Sequence, residues 1–190
     1  MTEVRLSSFN TGNFNKGAGF IKQTLWYFVN ALFVRASWNP FMGIKVFFLK
    51  LFGAKIGKGL VIKNNVNIKF PWKLTLGNDV WLGENAWIDN LDEVIIGNNV
   101  CISQGALLLT GNHDYTLSTF NYRNAPIIIE DGAWIGTNVV IVGNVHIGKN
   151  AVVGANSVVT HDIPAYSVAV GSPCRVIKQY DFDKNCWAKF

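Results

Sequence analysis

Asn112, His113, Asp114 and Tyr115 stand together in the one long stretch of this 190-residue chain where a repeating pattern lapses, with Arg123 a few positions on. Imidazole is the side chain whose ordinary titration lies nearest neutral pH, so His113 can take a proton from a hydroxyl and return it within one reaction cycle. A base of that kind serves an alcohol that attacks a carbonyl carbon. Asp114 can orient the ring, bind a substrate or simply shape a turn, because adjacent side chains need not face one another. Asn-His-Asp is short as a motif. Its place gives it weight, since an insertion in a strict repeat is unnecessary to the scaffold and such excursions commonly carry function.

The repeat itself must supply the rigid support. One aliphatic residue recurs at Ile56, Ile62, Ile68, Leu76, Leu82, Ile88, Ile96, Ile102 and Leu108, and again at Ile129, Ile135, Ile141, Ile147, Val153 and Val159. Many are followed by Gly, as at Gly57, Gly77, Gly83, Gly97, Gly136, Gly148 and Gly154, and a small or aliphatic residue usually stands four places on. A period of six fits a short strand and a tight corner wound around a three-sided prism, and fits neither an amphipathic helix nor a two-faced sheet. The two longer steps, Ile68 to Leu76 and Ile88 to Ile96, each add two residues at the same corner of successive coils. The expected fold class is therefore an all-β parallel β-helix of hexapeptide repeats, with an N-terminal helical segment over 1–54, the coils over 55–177 with a protruding loop at 109–128, and a C-terminal tail over 178–190. Each inward aliphatic contributes about 1.5–3 kcal/mol by burial, and only coils in series can bury them all.

Residues just before each inward aliphatic point outward. One face should display Val61, Trp81, Cys101, Trp134 and Val152, and a second Asn67, Trp87, Leu107, Val140 and Val158. Columns this apolar predict self-association.

Composition narrows the rest. The chain is 49% hydrophobic and 15% charged, which suits one domain with a sizeable core. A net charge of +5 without a basic helix or aromatic-basic interleaving argues against nucleic acid and suits a polyphosphate-bearing partner. Cys101, Cys174 and Cys186 have no metal-ligand or redox spacing, which together with the lack of a secretory signal points to a reducing cytoplasm. Residues 20–52 read as two helices separated near Asn39-Pro40. They are expected to cap the open end of the prism; peripheral attachment to the inner face of a membrane is the alternative, since Leu25–Val34 is too short to span one.

Three features together resemble the left-handed β-helix acyltransferases: the repeats, the loop Thr110-Gly111-Asn112-His113-Asp114-Tyr115 and the closing Gly171-Ser172-Pro173-Cys174-Arg175-Val176-Ile177. The nearest likeness is to the colanic-acid-type exopolysaccharide acetyltransferases, and it covers nearly the whole chain, including Phe52-Gly53-Ala54-Lys55-Ile56-Gly57 and Ile102-Ser103-Gln104-Gly105. The resemblance implies left-handed winding, a homotrimer, no metal, and transfer of acetyl from acetyl-CoA to a hydroxyl of a small-molecule or lipid-linked saccharide. It carries the catalytic histidine onto His113. An oxyanion donor is implied at the backbone of Gly136 or Thr137, just after Trp134-Ile135. Acetyl-CoA is implied to lie between subunits, near Trp134, Gly136, Thr137, Gly154-Ala155 and Thr160, with Arg175 and Lys178 meeting its phosphates. Acceptor contacts map to Asn85, Asp89 and Asn90, with Tyr115 beside the base. Asn90 stands where maltose-type and galactoside-type enzymes have a carboxylate, which sets those acceptors apart.

Acetylation of an amino sugar or of serine, and a non-catalytic scaffold, are the competing readings. A γ-type carbonic anhydrase would need three histidines converging on zinc, and His113, His146 and His161 do not have that family's spacing.

Overall fold

The computed structural model describes residues 3–189. From Lys55 onward the chain winds into parallel strands that stack in three sheets. The first stacks Lys55–Ile56, Leu74–Leu76, Val94–Ile96, Ile127–Ile129 and Val145–Ile147. The second stacks Val61–Ile62, Trp81–Leu82, Cys101–Ile102, Trp134–Ile135 and Val152–Val153. The third stacks Asn67–Ile68, Trp87–Asp89, Leu107–Leu109, Val140–Val142 and Val158–Val159.

The expected inward residues form one continuous core, and all are fully buried except Ile56, which lies in the terminal coil and is half-buried against the core's end. The register is the expected one, with Val61 beside Trp81, Trp81 beside Cys101, and Trp134 between Cys101 and Val152. Trp81, Trp87 and Trp134 are exposed in this single chain.

Corner chemistry differs from the simplest reading of the glycines. The left-handed backbone position falls three residues after eleven of the fifteen inward aliphatics, at Gly59, Asn65, Asp79, Asn85, Asn99, Gly105, Gly132, Asn138, Asn144, Asn150 and Asn156, with φ between 53° and 73°. Asn, Asp and Gly tolerate that region best. The glycine directly after the aliphatic has another task. A Cβ on Gly77 would stand 2.6 Å from the carbonyl carbon of Gly97, so its absence lets one coil sit down on the next.

One corner is also stitched by side chains. Asn78 accepts from the Lys58 amide at 2.8 Å, Asn98 from Asn78 at 2.8 Å, and Asp131 from Asn98 at 2.6 Å. The two Asn98 donors hold the Asp131 carboxyl below the usual carboxylate range.

Helix α1 spans Phe20–Val29 and continues as a π-helical turn through Val34; α2 spans Met42–Leu51. Asn39 holds the link between them, donating to the Phe33 carbonyl and accepting from the Phe41 amide. Both helices cap the first coil, as expected. Trp26 donates its indole N–H to the Ile68 carbonyl at 3.0 Å, and the Arg35 carbonyl accepts from the Asn65 amide at 3.1 Å. The buried Lys45 ammonium reaches the Lys63 carbonyl and the Asn64 amide oxygen, each at 3.2 Å, and burial lowers its pKa. These bonds occupy backbone groups that the first coil would otherwise leave unmet.

At the far end, Ser167–Gly171 joins the second sheet in parallel, and Cys174–Asp181 and Cys186–Lys189 follow antiparallel. Within the expected tail over 178–190, residues 178–181 and Cys186–Lys189 are strand, joined by a turn. Among the described residues no helix is long and apolar enough to cross a membrane.

Candidate active site

Between Leu109 and Ile127 the chain leaves the third coil as an arm of two antiparallel limbs. The Asp114 amide donates to the Asn121 carbonyl and the Arg123 amide to the Asn112 carbonyl, both at 2.8 Å, and His113 faces Tyr122 across the bridge. The arm is fastened to the prism at its root, where the Ala125 amide donates to the Thr110 carbonyl and the buried Thr110 hydroxyl donates to the Asp89 carbonyl.

His113 is held on several sides. Its ring stacks on Phe120 at 4.2 Å between centroids and 3° between planes, and Tyr122 and Phe9 close in at 4.8 and 5.8 Å. Nδ1 lies 2.8 Å from the Phe120 carbonyl oxygen. A carbonyl can only accept, so in the neutral ring that makes this contact the proton sits on Nδ1 and Nε2 keeps its lone pair.

Phe9 belongs to a strap over residues 3–19 that sequence reading does not connect with the arm. Its backbone donates from Arg5 to the Ser118 carbonyl at 2.8 Å and from Asn10 to the Thr119 carbonyl at 3.3 Å. Phe14 packs on Tyr122 at 4.7 Å, and the Trp72 indole donates to the Lys16 carbonyl. Aromatic residues at 9, 14, 120 and 122 are visible in the sequence, but nothing in a local pattern pairs positions about a hundred residues apart.

Asp114 is not brought to the imidazole. Its carboxylate accepts from the Thr116 hydroxyl and amide, which hold its pKa below the ordinary value. The turn-shaping alternative describes its contacts, and the group that meets His113 Nδ1 is the Phe120 carbonyl.

The expected acceptor residues divide. Asn85 is an exposed corner residue with φ 59°, and Tyr115 is exposed at the arm's tip. Asn90 is a correction: it is wholly buried, accepting from the Phe70 amide at 2.9 Å and donating to the Phe70 carbonyl at 2.7 Å. It stitches the lengthened corners of two coils and has no free polar edge for a sugar. Asp89 is largely covered and lies 2.8 Å from the Lys69 ammonium.

A second correction concerns Gly136. Its N–H already donates to the Val153 carbonyl at 2.8 Å in the ladder, and a Cβ there would lie 2.7 Å from that oxygen. The next amide, Thr137, has no partner among the described residues and sits on an exposed corner, so of the two expected positions it is the one whose N–H is free. Trp134 donates its indole N–H to the Ser103 hydroxyl at 3.0 Å beside a groove flanked by Trp81 and Gln104.

Towards the C-terminus, the space a side chain would take at Gly154 is filled by Val170, 2.7 Å from the ideal Cβ position, so internal packing accounts for that glycine. Ala155 and Thr160 are exposed, with the Thr160 hydroxyl 2.9 Å from His161 Nδ1. Arg175 is exposed with one nitrogen on the Cys174 carbonyl, and the Lys178 ammonium lies 4.8 Å from the centroid of Trp187. The third histidine, His146, meets Glu130 at 2.9 Å, and the three imidazoles do not converge.

Known proteins share this architecture. The family model described as bacterial transferase hexapeptide (six repeats) matches residues 126–161. Over 176 residues the chain is 40% identical to the provisionally named colanic acid biosynthesis acetyltransferase WcaF of Escherichia coli (strain K12), covering 92% of this chain and 96% of that protein. A solved galactoside acetyltransferase in complex with coenzyme A superposes with a TM-score of 0.77 at 29% identity, over 86% of this chain and 83% of its own. The hexapeptide-repeat acetyltransferase VCA0836 of Vibrio cholerae O1 biovar eltor, complexed with acetyl coenzyme A, superposes with a TM-score of 0.80 over 92% and 97%; at 22% identity that likeness speaks to the fold alone.

Proposed function

Because the chain belongs to the hexapeptide-repeat acetyltransferases, built on a left-handed parallel β-helix, we propose that it moves acetyl from acetyl-CoA to a hydroxyl of a saccharide, an exopolysaccharide intermediate foremost. The observation that carries this reading is the His113 Nδ1 contact with the Phe120 carbonyl, which leaves Nε2 as the base. The acceptor oxygen attacks the thioester carbonyl carbon as its proton passes to Nε2. The tetrahedral oxyanion takes the Thr137 N–H. Collapse breaks the carbon–sulfur bond, and the departing thiolate recovers the proton from the imidazolium.

Thr137 lies on a corner of the prism and His113 on the arm, so completing the site from two subunits is the economical arrangement. In it, Trp134, Ala155, Thr160, Arg175 and Lys178 line the acetyl-CoA side, with Arg175 suited to bidentate phosphate contact. Asn85 and Tyr115 lie on the acceptor side. The exposed Trp81, Trp87 and Trp134 columns are what a homotrimer would cover.

Acetyl-labelled CoA and purified protein, offered saccharides, amino sugars and serine, should place the label on a saccharide oxygen. Label on an amino sugar nitrogen or on serine would replace the O-acetylation reading with one of those acceptors. Failure to bind acetyl-CoA at all would favour a scaffold. Light scattering should give the mass of three chains, and Trp81→Glu should reduce it to one chain with loss of transfer. A monomeric parent protein would remove the two-subunit site.

A further inference from the structure

The capping helices are apolar on two opposite sides. In α1 and its π-helical continuation, Trp26, Asn30 and Val34 face the coil. Opposite them Ile21, Leu25, Phe28 and Leu32 repeat at i, i+4, i+7 and i+11 and are 74, 55, 56 and 54% exposed. Helix α2 repeats the arrangement, burying Lys45 and Leu49 while Ile44, Phe47 and Leu51 remain exposed. Trp38 and Phe41, in the link, are exposed as well. A cap needs only the inner side, so the outer stripes have no role in holding the prism together.

Charge is sorted along the chain in the same sense. Residues 4–78 contain eleven of the 17 Lys and Arg residues and no Asp or Glu, whereas residues 79–190 hold eleven of the 12 acids. The end of the prism formed by the helices and first coil is therefore cationic as well as apolar. Arg35, Lys50, Lys55, Lys58 and Lys63 are exposed there, and none has an acidic partner among the described residues. By contrast Lys69, on the same coil, is paired with Asp89.

Two occupants can be weighed against these facts. Protein interfaces are depleted in Lys, and another chain would meet the aromatic columns on the prism's flanks more readily than its lysine-ringed end. A bilayer surface wants the combination found here: apolar and aromatic side chains in helices too short to span, bordered by cations that reach headgroup phosphates. We infer that the helical end of the prism docks on an anionic phospholipid bilayer. The exposed stripes of α1 and α2 enter the acyl boundary, and Arg35, Lys50, Lys55, Lys58 and Lys63 lie at the headgroups.

The test is co-sedimentation of the full chain with vesicles of phosphatidylcholine mixed with phosphatidylglycerol, and with vesicles of phosphatidylcholine alone. Binding to the anionic vesicles should be stronger by at least about tenfold, because each cation near such a surface adds favourable attraction, and raised salt should weaken it. Leu25→Glu combined with Phe28→Glu should abolish sedimentation while mass and melting temperature stay unchanged. Lys50→Glu with Lys58→Glu should do the same without touching the apolar stripes. Absence of binding to either vesicle, or equal binding to both, overturns the inference. So does a fall in oligomer mass on Leu25→Glu/Phe28→Glu, which would assign the stripe to a second copy of the chain.

Discussion

His113→Ala is expected to lower turnover by at least about 100-fold, the lower part of the range for loss of a general base, while light scattering and melting temperature remain those of the parent. The separation of effects follows from the ring's surroundings. The imidazole contributes one hydrogen bond and its contacts with Phe120, Tyr122 and Phe9 to the arm, whereas the prism's core lies elsewhere. Steady-state rates with labelled acetyl-CoA measure it, and turnover near the parent value would take His113 out of the mechanism. Asp114→Asn is the companion variant. If Asp114 only shapes the turn through Thr116, the loss should be much smaller than for His113→Ala.

Leu82→Ala should be the more damaging change to the fold. Leu82 is wholly buried in the second sheet, with Ile62 and Ile102 as its neighbours above and below. In a stack each coil touches only those adjacent to it, so a cavity there cannot be closed by distant repacking. The expected loss is about 2–5 kcal/mol. Thermal unfolding should register it as a fall of roughly 2–4 °C for each kcal/mol in a chain of this size. Lys63→Ala, one residue beyond Ile62 and solvent-exposed, should stay within about 0.5 kcal/mol of the parent. A Leu82→Ala protein that melts with the parent would mean that the column is not close-packed.

The column itself was legible because its signal is local. An aliphatic every six residues, with both longer steps at one corner, specifies which side chains meet across coils, and the pairing of Val61, Trp81, Cys101, Trp134 and Val152 follows that arithmetic. Corner chemistry was half legible. The glycines stand out in the sequence, but their service is close approach between coils, and the left-handed position belongs to the Asn, Asp or Gly two residues further on. Polar residues were the least legible, because burial and existing partners decide their use. Asn90 looks like a hydrogen-bonding edge until Phe70 is found on both ends of its amide. Gly136 looks like an oxyanion donor until its N–H is traced to Val153. The groups around His113 come from Phe9, Phe120 and Tyr122, and only the folded arm and strap bring the first of these to the other two.

The two ends of the stack have a consequence for how the particle can grow. A bare terminal coil offers a ready template for the coil of another molecule, and repetition of that contact would produce a head-to-tail filament. Trp26 and Lys45 occupy the outermost carbonyls at one end. At the other, the chain reverses into antiparallel strands, so that the last edge no longer matches a parallel newcomer. Direct stacking of one coil on another is thereby disfavoured at the helical end, and at the far end the second sheet presents an antiparallel edge in place of a parallel one.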